Sequence, residues 1–383
     1  MVDQRGLPST GAPRSGTPTT VVVKVGSSSV TLPDGGVDLS AVLKLCGEVA
    51  ATRAAGHRVI VVSSGAIATG LPALGFEAGE GRPRDEAVLR AASAVGQTSL
   101  MRAFEAALEA EGYVTGQVLL APTDFWMRRR YLKSRGTLEA LLDLGVVPII
   151  NENDAIADDE IRFGDNDRLA ALVAHQMRAD KLVLLTDTAG LFTADPRVDS
   201  SASLIQEILT IDAELEALAS ESTSAVSRGG MASKLAAAKI ATWSGVEVVI
   251  AAADRPGVLP DAVAGVDGVG TIFRSRPGRL AARKLWIAFA IGAVGTITVD
   301  AGARRALCEQ QRSLLPAGVV AHTGSFRRDD AVEICDPDGV VFAKGQVRWS
   351  SDDLAGHAGR RTADLPADLP DVVVHRDDLV VLP

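Results

Sequence analysis

Asn151, Glu152, Asn153 and Asp154 directly follow the apolar run Val146–Ile150, and Thr186 and Asp187 follow Leu182–Leu185. In both runs the apolar residues stay together without alternating, which is the pattern of buried parallel strands. Between them Gly164, Asp165, Asn166 and Asp167 open a helical pattern that runs to Met177. Ligands of a parallel sheet bind beyond the carboxyl ends of its strands. The spacing therefore aims amides and carboxylates at one crevice, a layout suited to a polar substrate.

Three further segments place small or basic residues where a ligand can approach the backbone. The first is Lys24-Val25-Gly26-Ser27-Ser28-Ser29, at the end of the run Val21–Val25. Its lysine and loop N–H groups suit phosphate oxygens; a surface lysine before a turn is the alternative. Ser63-Ser64-Gly65-Ala66-Ile67-Ala68 ends the run Arg58–Val62. Here either a close backbone approach to a ligand or a strand-to-helix turn with Ser as N-cap fits. In Arg228-Gly229-Gly230-Met231-Ala232-Ser233-Lys234, paired glycines precede a helix start. A helix N-terminus is an anion site, and a lysine in the first turn opposes the macrodipole, which points to a bound anion. The chain has no GxxxxGK[ST] and no GxGxxG after its first strand, so phosphate-handling parts are spread over several loops.

These loops need a scaffold, and the sequence supplies one. Strands are predicted at Val21–Val25, Arg58–Val62, Val114–Leu120, Val146–Ile150, Leu182–Leu185, Val246–Ala251 and Gly270–Phe273. Helices are predicted at Leu39–Ala55, Glu86–Glu111 and Gly230–Trp243. Such alternation predicts an α/β fold, a mostly parallel sheet sandwiched by helices. After Phe273 short strands with turn signals such as Asp338-Gly339 predict a separate, small, β-rich domain. The expected organisation is a disordered tail over 1–19, a first domain over 20–278, a connector over 279–291 and a second domain with its tail over 292–383.

A chain of 383 residues, 47% hydrophobic, is long enough for two domains. Its net charge of −9 gives no overall footprint for nucleic acid. Residues 292–383 carry ten Lys and Arg against fourteen Asp and Glu, which disfavours RNA as a partner of that domain. The basic run Arg128-Arg129-Arg130, with Lys133 and Arg135, reads as a solvated or subunit-contact face. Cys46, Cys308 and Cys335 are widely spaced, as for reduced thiols. The five histidines show no ligand spacing, and the residues leave any metal ligands undetermined. No apolar stretch suits a signal peptide or a membrane span, so a cytoplasmic protein without a membrane partner is expected.

As a set, VVVKVGSSS, SSGAIATG, VVPIINENDAI, FGDNDRLAALVA, KLVLLTDTAGLFTADPR and GGMASKLAAA resemble the amino acid kinase family over Thr20 to Phe273. INEND paired with GDND resembles its glutamate 5-kinase branch in particular. Carbamate, aspartate, acetylglutamate and uridylate kinases carry other residues there. Thr296 to about Arg361 is similar to a PUA domain, a small β barrel. The resemblance implies an ATP-dependent kinase acting on the γ-carboxylate of L-glutamate, at the start of proline biosynthesis, with Mg²⁺ as cofactor. It also implies proline as feedback inhibitor and a homo-oligomer, dimer or tetramer.

By the same resemblance Lys24 and Lys234 hold the transferring phosphoryl group and Asp167 orients them. Ser64, Gly65, Asn151, Asp154 and Asn166 bind glutamate, with Asn151 and Asp154 facing its ammonium. Lys24, Thr186, Asp187, Arg228, Gly229, Gly230, Met231, Ala232, Ser233 and Lys234 contact ATP. The chain departs from the family's usual residues at Arg228 and Ser63, where threonine is common. Two rivals remain at this level: another kinase of the same fold, such as an acetylglutamate kinase, and an RNA-binding protein acting through the second domain.

Overall fold

A computed structural model describes residues 19–76, 83–156, 166–194, 199, 201–212, 215–216, 230–276 and 280–382. The expected tail lies outside these residues except for Thr19. The chain divides into two units, Met1–Arg279 and Leu280–Pro383.

Five consecutive buried residues make Thr20–Val25 (β1) the centre of the first unit's sheet. Arg58–Val62 (β2), Thr115–Leu120 (β3), Val147–Glu152 (β4), Lys181–Thr186 (β5), Glu207–Ile208 (β6), Glu247–Ala252 (β7) and Gly270–Phe273 (β8) complete it. The eight strands lie in the order β3-β4-β2-β1-β5-β7-β8-β6. Among the described residues only the β7–β8 pairing is antiparallel. β6 runs parallel to β8 and the other six strands share one direction, so the sheet is mostly parallel, as the sequence predicts.

Side chains alternate across a strand, and both faces of this sheet are covered. Val21, Val23 and Val25 of β1 share one face with Val59, Val61, Ile149, Val183 and Val249. That face packs against the helices Leu39–Ala54 (α1) and Glu86–Ala110 (α3) and against Val258–Ala264. The opposite parity, Val22, Ile60, Leu182 and Leu184, is equally buried. It faces the side of Asn166–Gln176 and Met231–Trp243, two helices whose own Leu169, Ala170, Leu235 and Ala238 are buried. Lys24 belongs to this second parity, which decides what it can reach.

Ala66–Ala73 (α2), which the periodicity did not reveal, crosses α3 at a pair of glycines. A Cβ on Gly70 would stand 1.8 Å from the Ala92 carbonyl oxygen, and one on Gly96 1.9 Å from the Ala66 carbonyl oxygen. Alanine is the better helix former by about 1 kcal/mol, so the two effects oppose each other. The obstacle is backbone, which cannot rotate aside, and overpacking costs about 1–3 kcal/mol or more. Gly96→Ala is therefore expected to lower the urea midpoint; an unchanged or raised midpoint would show that the helices separate freely.

The second unit is a five-stranded sheet of Gly295–Val299, Val319–Gly324, Ala331–Cys335, Val341–Val347 and Val374–Val381. Its core gathers Ile297, Phe326, Ile334, Phe342 and Trp349, and the Trp349 indole donates to the Pro370 carbonyl at 2.9 Å. Residues 280–291 belong to this unit; the Lys344 ammonium, for example, donates to the Ile291 carbonyl. Cys46 and Cys335 are buried and Cys308 is exposed, all as free thiols. Among the described residues no helix is long and apolar enough to cross a membrane.

Candidate active site

The chain leaves β1 for β2 on one side and returns to β5 on the other. Such a reversal opens a crevice at the carboxyl ends of the strands. Lys24, Ser63, Asn151, Glu152 and Thr186 stand at these ends, and all five are buried.

Lys24 is 4% exposed, which excludes the surface-lysine alternative. Its even parity turns it toward the helix Asn166–Gln176, whose second residue is Asp167. The Lys24 ammonium lies 2.6 Å from Asp167 Oδ1, and the Lys234 ammonium lies 3.1 Å from Asp167 Oδ2. Ser233 Oγ stands 3.4 Å from the same Oδ2. Burial alone would raise the Asp167 pKa. The two ammonium charges outweigh that penalty and hold the carboxyl below its ordinary value. Lys234 follows the N-cap Gly230 in the first turns of its helix, where it would oppose the macrodipole; the Asp167 carboxylate offsets that cost.

Beside this centre lies a chain of amides. Asn166 Nδ2 donates to the Asn151 side-chain oxygen at 2.7 Å and to the Ser63 carbonyl at 2.6 Å, with Ser64 Oγ at 3.0 Å. The Glu152 N–H also donates to Asn151 Oδ1, at 2.8 Å. Asn151 Nδ2 in turn donates to Gln97 Oε1 at 2.8 Å, and Ser93 Oγ donates to Asp154 Oδ2 at 2.6 Å. The turn after β2 is made by Gly65 at φ +100°, a left-handed conformation in which a Cβ would meet Thr31 at 2.9 Å. Gly65 is also the N-cap of α2, without a side-chain cap bond, which corrects the reading of a serine N-cap there.

The structure thus brings Lys24, Asp167, Ser233 and Lys234 together, and it joins Ser64, Asn151 and Asn166. Thr186 Oγ1 donates to Asp187 at 2.9 Å on the β5 side. The loop beyond them is held by Thr271, whose hydroxyl accepts from the Leu191 N–H at 2.8 Å and donates to the Ile205 carbonyl at 2.6 Å. Gly230, Met231 and Ala232 form the start of the helix that carries Lys234. Arg228, Gly229, Gly164 and Asp165 lie outside the described residues. Sequence reasoning missed Ser93, Gln97 and Thr271: each is an ordinary polar residue within an element, and only its neighbours in space single it out.

The profile of the Amino acid kinase family matches residues 19–252, and that of the PUA domain matches residues 295–369. The chain is 45% identical to the glutamate 5-kinase of Mycobacterium tuberculosis (strain H37Ra) over 363 residues, 94% of each chain. It is 46% identical to that of Myxococcus xanthus over 94% of this chain and 96% of the relative. With Pelobacter propionicus the identity is 43%, over 94% and 97%. The chain belongs to the amino acid kinase family, in its glutamate 5-kinase branch, with a PUA domain after the kinase domain.

Proposed function

We propose that the protein transfers the γ-phosphoryl group of ATP to the γ-carboxylate of L-glutamate, giving L-glutamyl 5-phosphate and ADP, the first step of proline biosynthesis. The observation that carries this reading is the buried Lys24–Asp167–Lys234 set beside the Asn151–Asn166 amides; relatives of that activity at 43–46% identity support it.

A carboxylate is ionised at neutral pH, so the acceptor needs no base to become a nucleophile. One of its oxygens forms a bond to the γ-phosphorus as the bond to the bridging oxygen breaks, and ADP leaves with that electron pair. What remains for the protein is positioning in line and neutralising charge on the transferring group. Lys24 and Lys234 supply the charge from positions that Asp167 fixes. Asn151, Asp154, Asn166 and Ser64 hold the acceptor, with Asp154 against its ammonium. Thr186, Asp187 and the residues from Arg228 to Lys234 hold the nucleotide. Both Asp167 oxygens are engaged by lysines, and among the described residues no three His, Cys, Asp or Glu converge on a metal position. Mg²⁺ would enter on the nucleotide phosphates as part of the co-substrate, the usual mode for a cation that keeps most of its waters.

Proline inhibition, a dimeric or tetrameric state and a cytoplasmic location belong to the same reading. So do a kinase domain over 20–278 and a PUA-like domain over 292–383, with residues 280–291 of the connector in the latter's unit. The test is ADP release by purified protein with ATP, Mg²⁺ and L-glutamate, trapping the acyl phosphate with hydroxylamine. Glutamate-dependent hydroxamate, suppressed by L-proline and absent with N-acetylglutamate, is the expected result. Hydroxamate from the acetylated compound would overturn the assignment of Asp154 to a free ammonium. Sedimentation of the same sample reads the oligomer.

A further inference from the structure

The buried side of α3 is apolar along Leu89, Ala92, Leu100, Ala103 and Phe104, and two polar residues interrupt it, Ser93 and Gln97. They stand four residues apart and so share one face of the helix. A hydroxyl and an amide placed there cost stability unless they are hydrogen-bonded, and each is bonded to a residue assigned above to the acceptor's amino end. Ser93 Oγ donates to Asp154 Oδ2 at 2.6 Å, and Gln97 Oε1 accepts from Asn151 Nδ2 at 2.8 Å.

The second of these bonds has a directional effect. Asn151 Oδ1 already accepts from Asn166 Nδ2 and from the Glu152 N–H. Exchanging the oxygen and nitrogen of the Asn151 amide would place donor against donor at both of these bonds and acceptor against acceptor at Gln97. The Glu152 N–H, which can only donate, thus sets which way the amide faces, and Gln97 Oε1 holds its Nδ2 end in place. Gly96, between the two residues, is locked against α2, and α2 starts at Gly65 beside Ser64. The same helix contact thus ties Ser93 and Gln97 to the Ser64 turn.

We propose that Ser93 and Gln97 are positioning residues for the acceptor, acting through Asp154 and Asn151 to set their donors and acceptors before the substrate arrives. The inference rests on the glutamate reading above. Preorganised groups bind more tightly because less ordering is left for the binding step.

Gln97→Leu keeps the side chain's bulk and removes the acceptor. It is expected to raise the KM for glutamate about tenfold, the usual scale for a buried donor left without its partner. The KM for ATP should stay within about twofold, since Gln97 acts only through Asn151. Added to Asn151→Ala, the same change should alter glutamate affinity by less than about twofold, because the group it acts through is gone. Should Gln97→Leu fail to fold, Ser93→Ala is expected to show the same split between the two KM values. An unchanged KM for glutamate, a parallel rise for ATP, or effects that multiply in the Asn151→Ala background would each overturn the proposal. The unaltered protein is assayed first. If it does not turn over glutamate, the substrate reading falls and takes this inference with it; if it does and the variants match it, the inference alone falls.

Discussion

Lys234→Ala is expected to lower kcat by about 10²–10³ while the protein remains folded. That is the usual loss, about 2.7–4 kcal/mol, when one preorganised donor to developing charge is removed. The fold survives because of how the ion pairs are shared. Asp167 has a lysine on each oxygen, so deleting Lys234 leaves the buried carboxylate paired with Lys24. Steady-state kinetics and urea unfolding on the same preparation check both halves. A kcat within about threefold of the unaltered protein would remove Lys234 from the phosphoryl-handling role.

Asp167→Asn should behave differently, losing both turnover and stability. The amide fills the same space, but two buried ammonium groups then lack the negative charge between them. Breaking a buried pair in this way costs about 3–5 kcal/mol, since the charges left behind lose the carboxylate that faced them. The pH dependence identifies the source. The Asp167 pKa is lowered in the folded protein. Its ionisation therefore contributes stability that is fully present above the ordinary aspartate value of about 3.9 and is lost as pH falls through the lower folded value. The difference in urea midpoint between the unaltered protein and Asp167→Asn should be large at neutral pH and shrink below about pH 4. A constant difference would mean that the loss comes from packing.

The strand ends were legible because apolar runs such as Val146–Ile150 stop abruptly at polar residues, and a parallel sheet gathers such ends. Those runs are buried strands, shifted by only a residue or two at their ends. The role of Lys24 was open from sequence, since a lysine at a strand end suits solvent equally well; its parity and burial decide the matter. The helix Arg128–Asp143 was read only as a basic patch because its apolar stripe is confined to Leu138 and Leu142, while Arg128, Arg129, Arg130 and Lys133 are exposed. Ala66–Ala73 was hidden by its short length and by Pro72 near its end. Ser93, Gln97 and Thr271 were invisible for another reason. Their partners lie 61, 54 and 66–80 residues away in sequence, and no local pattern encodes such a distance.

The strand order has a consequence for how such a protein changes over generations. β2 and β4, with the helix that supports Asn151 and Asp154, lie on one flank of β1; β5 and β7, with the loop that Thr271 secures, lie on the other. At the strand ends the central lysines and their aspartate stand between the two flanks. On the proposed assignment, substitutions that remodel the acceptor flank leave the opposite one free to go on taking the same nucleotide. A lineage built on this sheet can thus acquire a new acceptor by altering one wing, without first surrendering its phosphoryl donor.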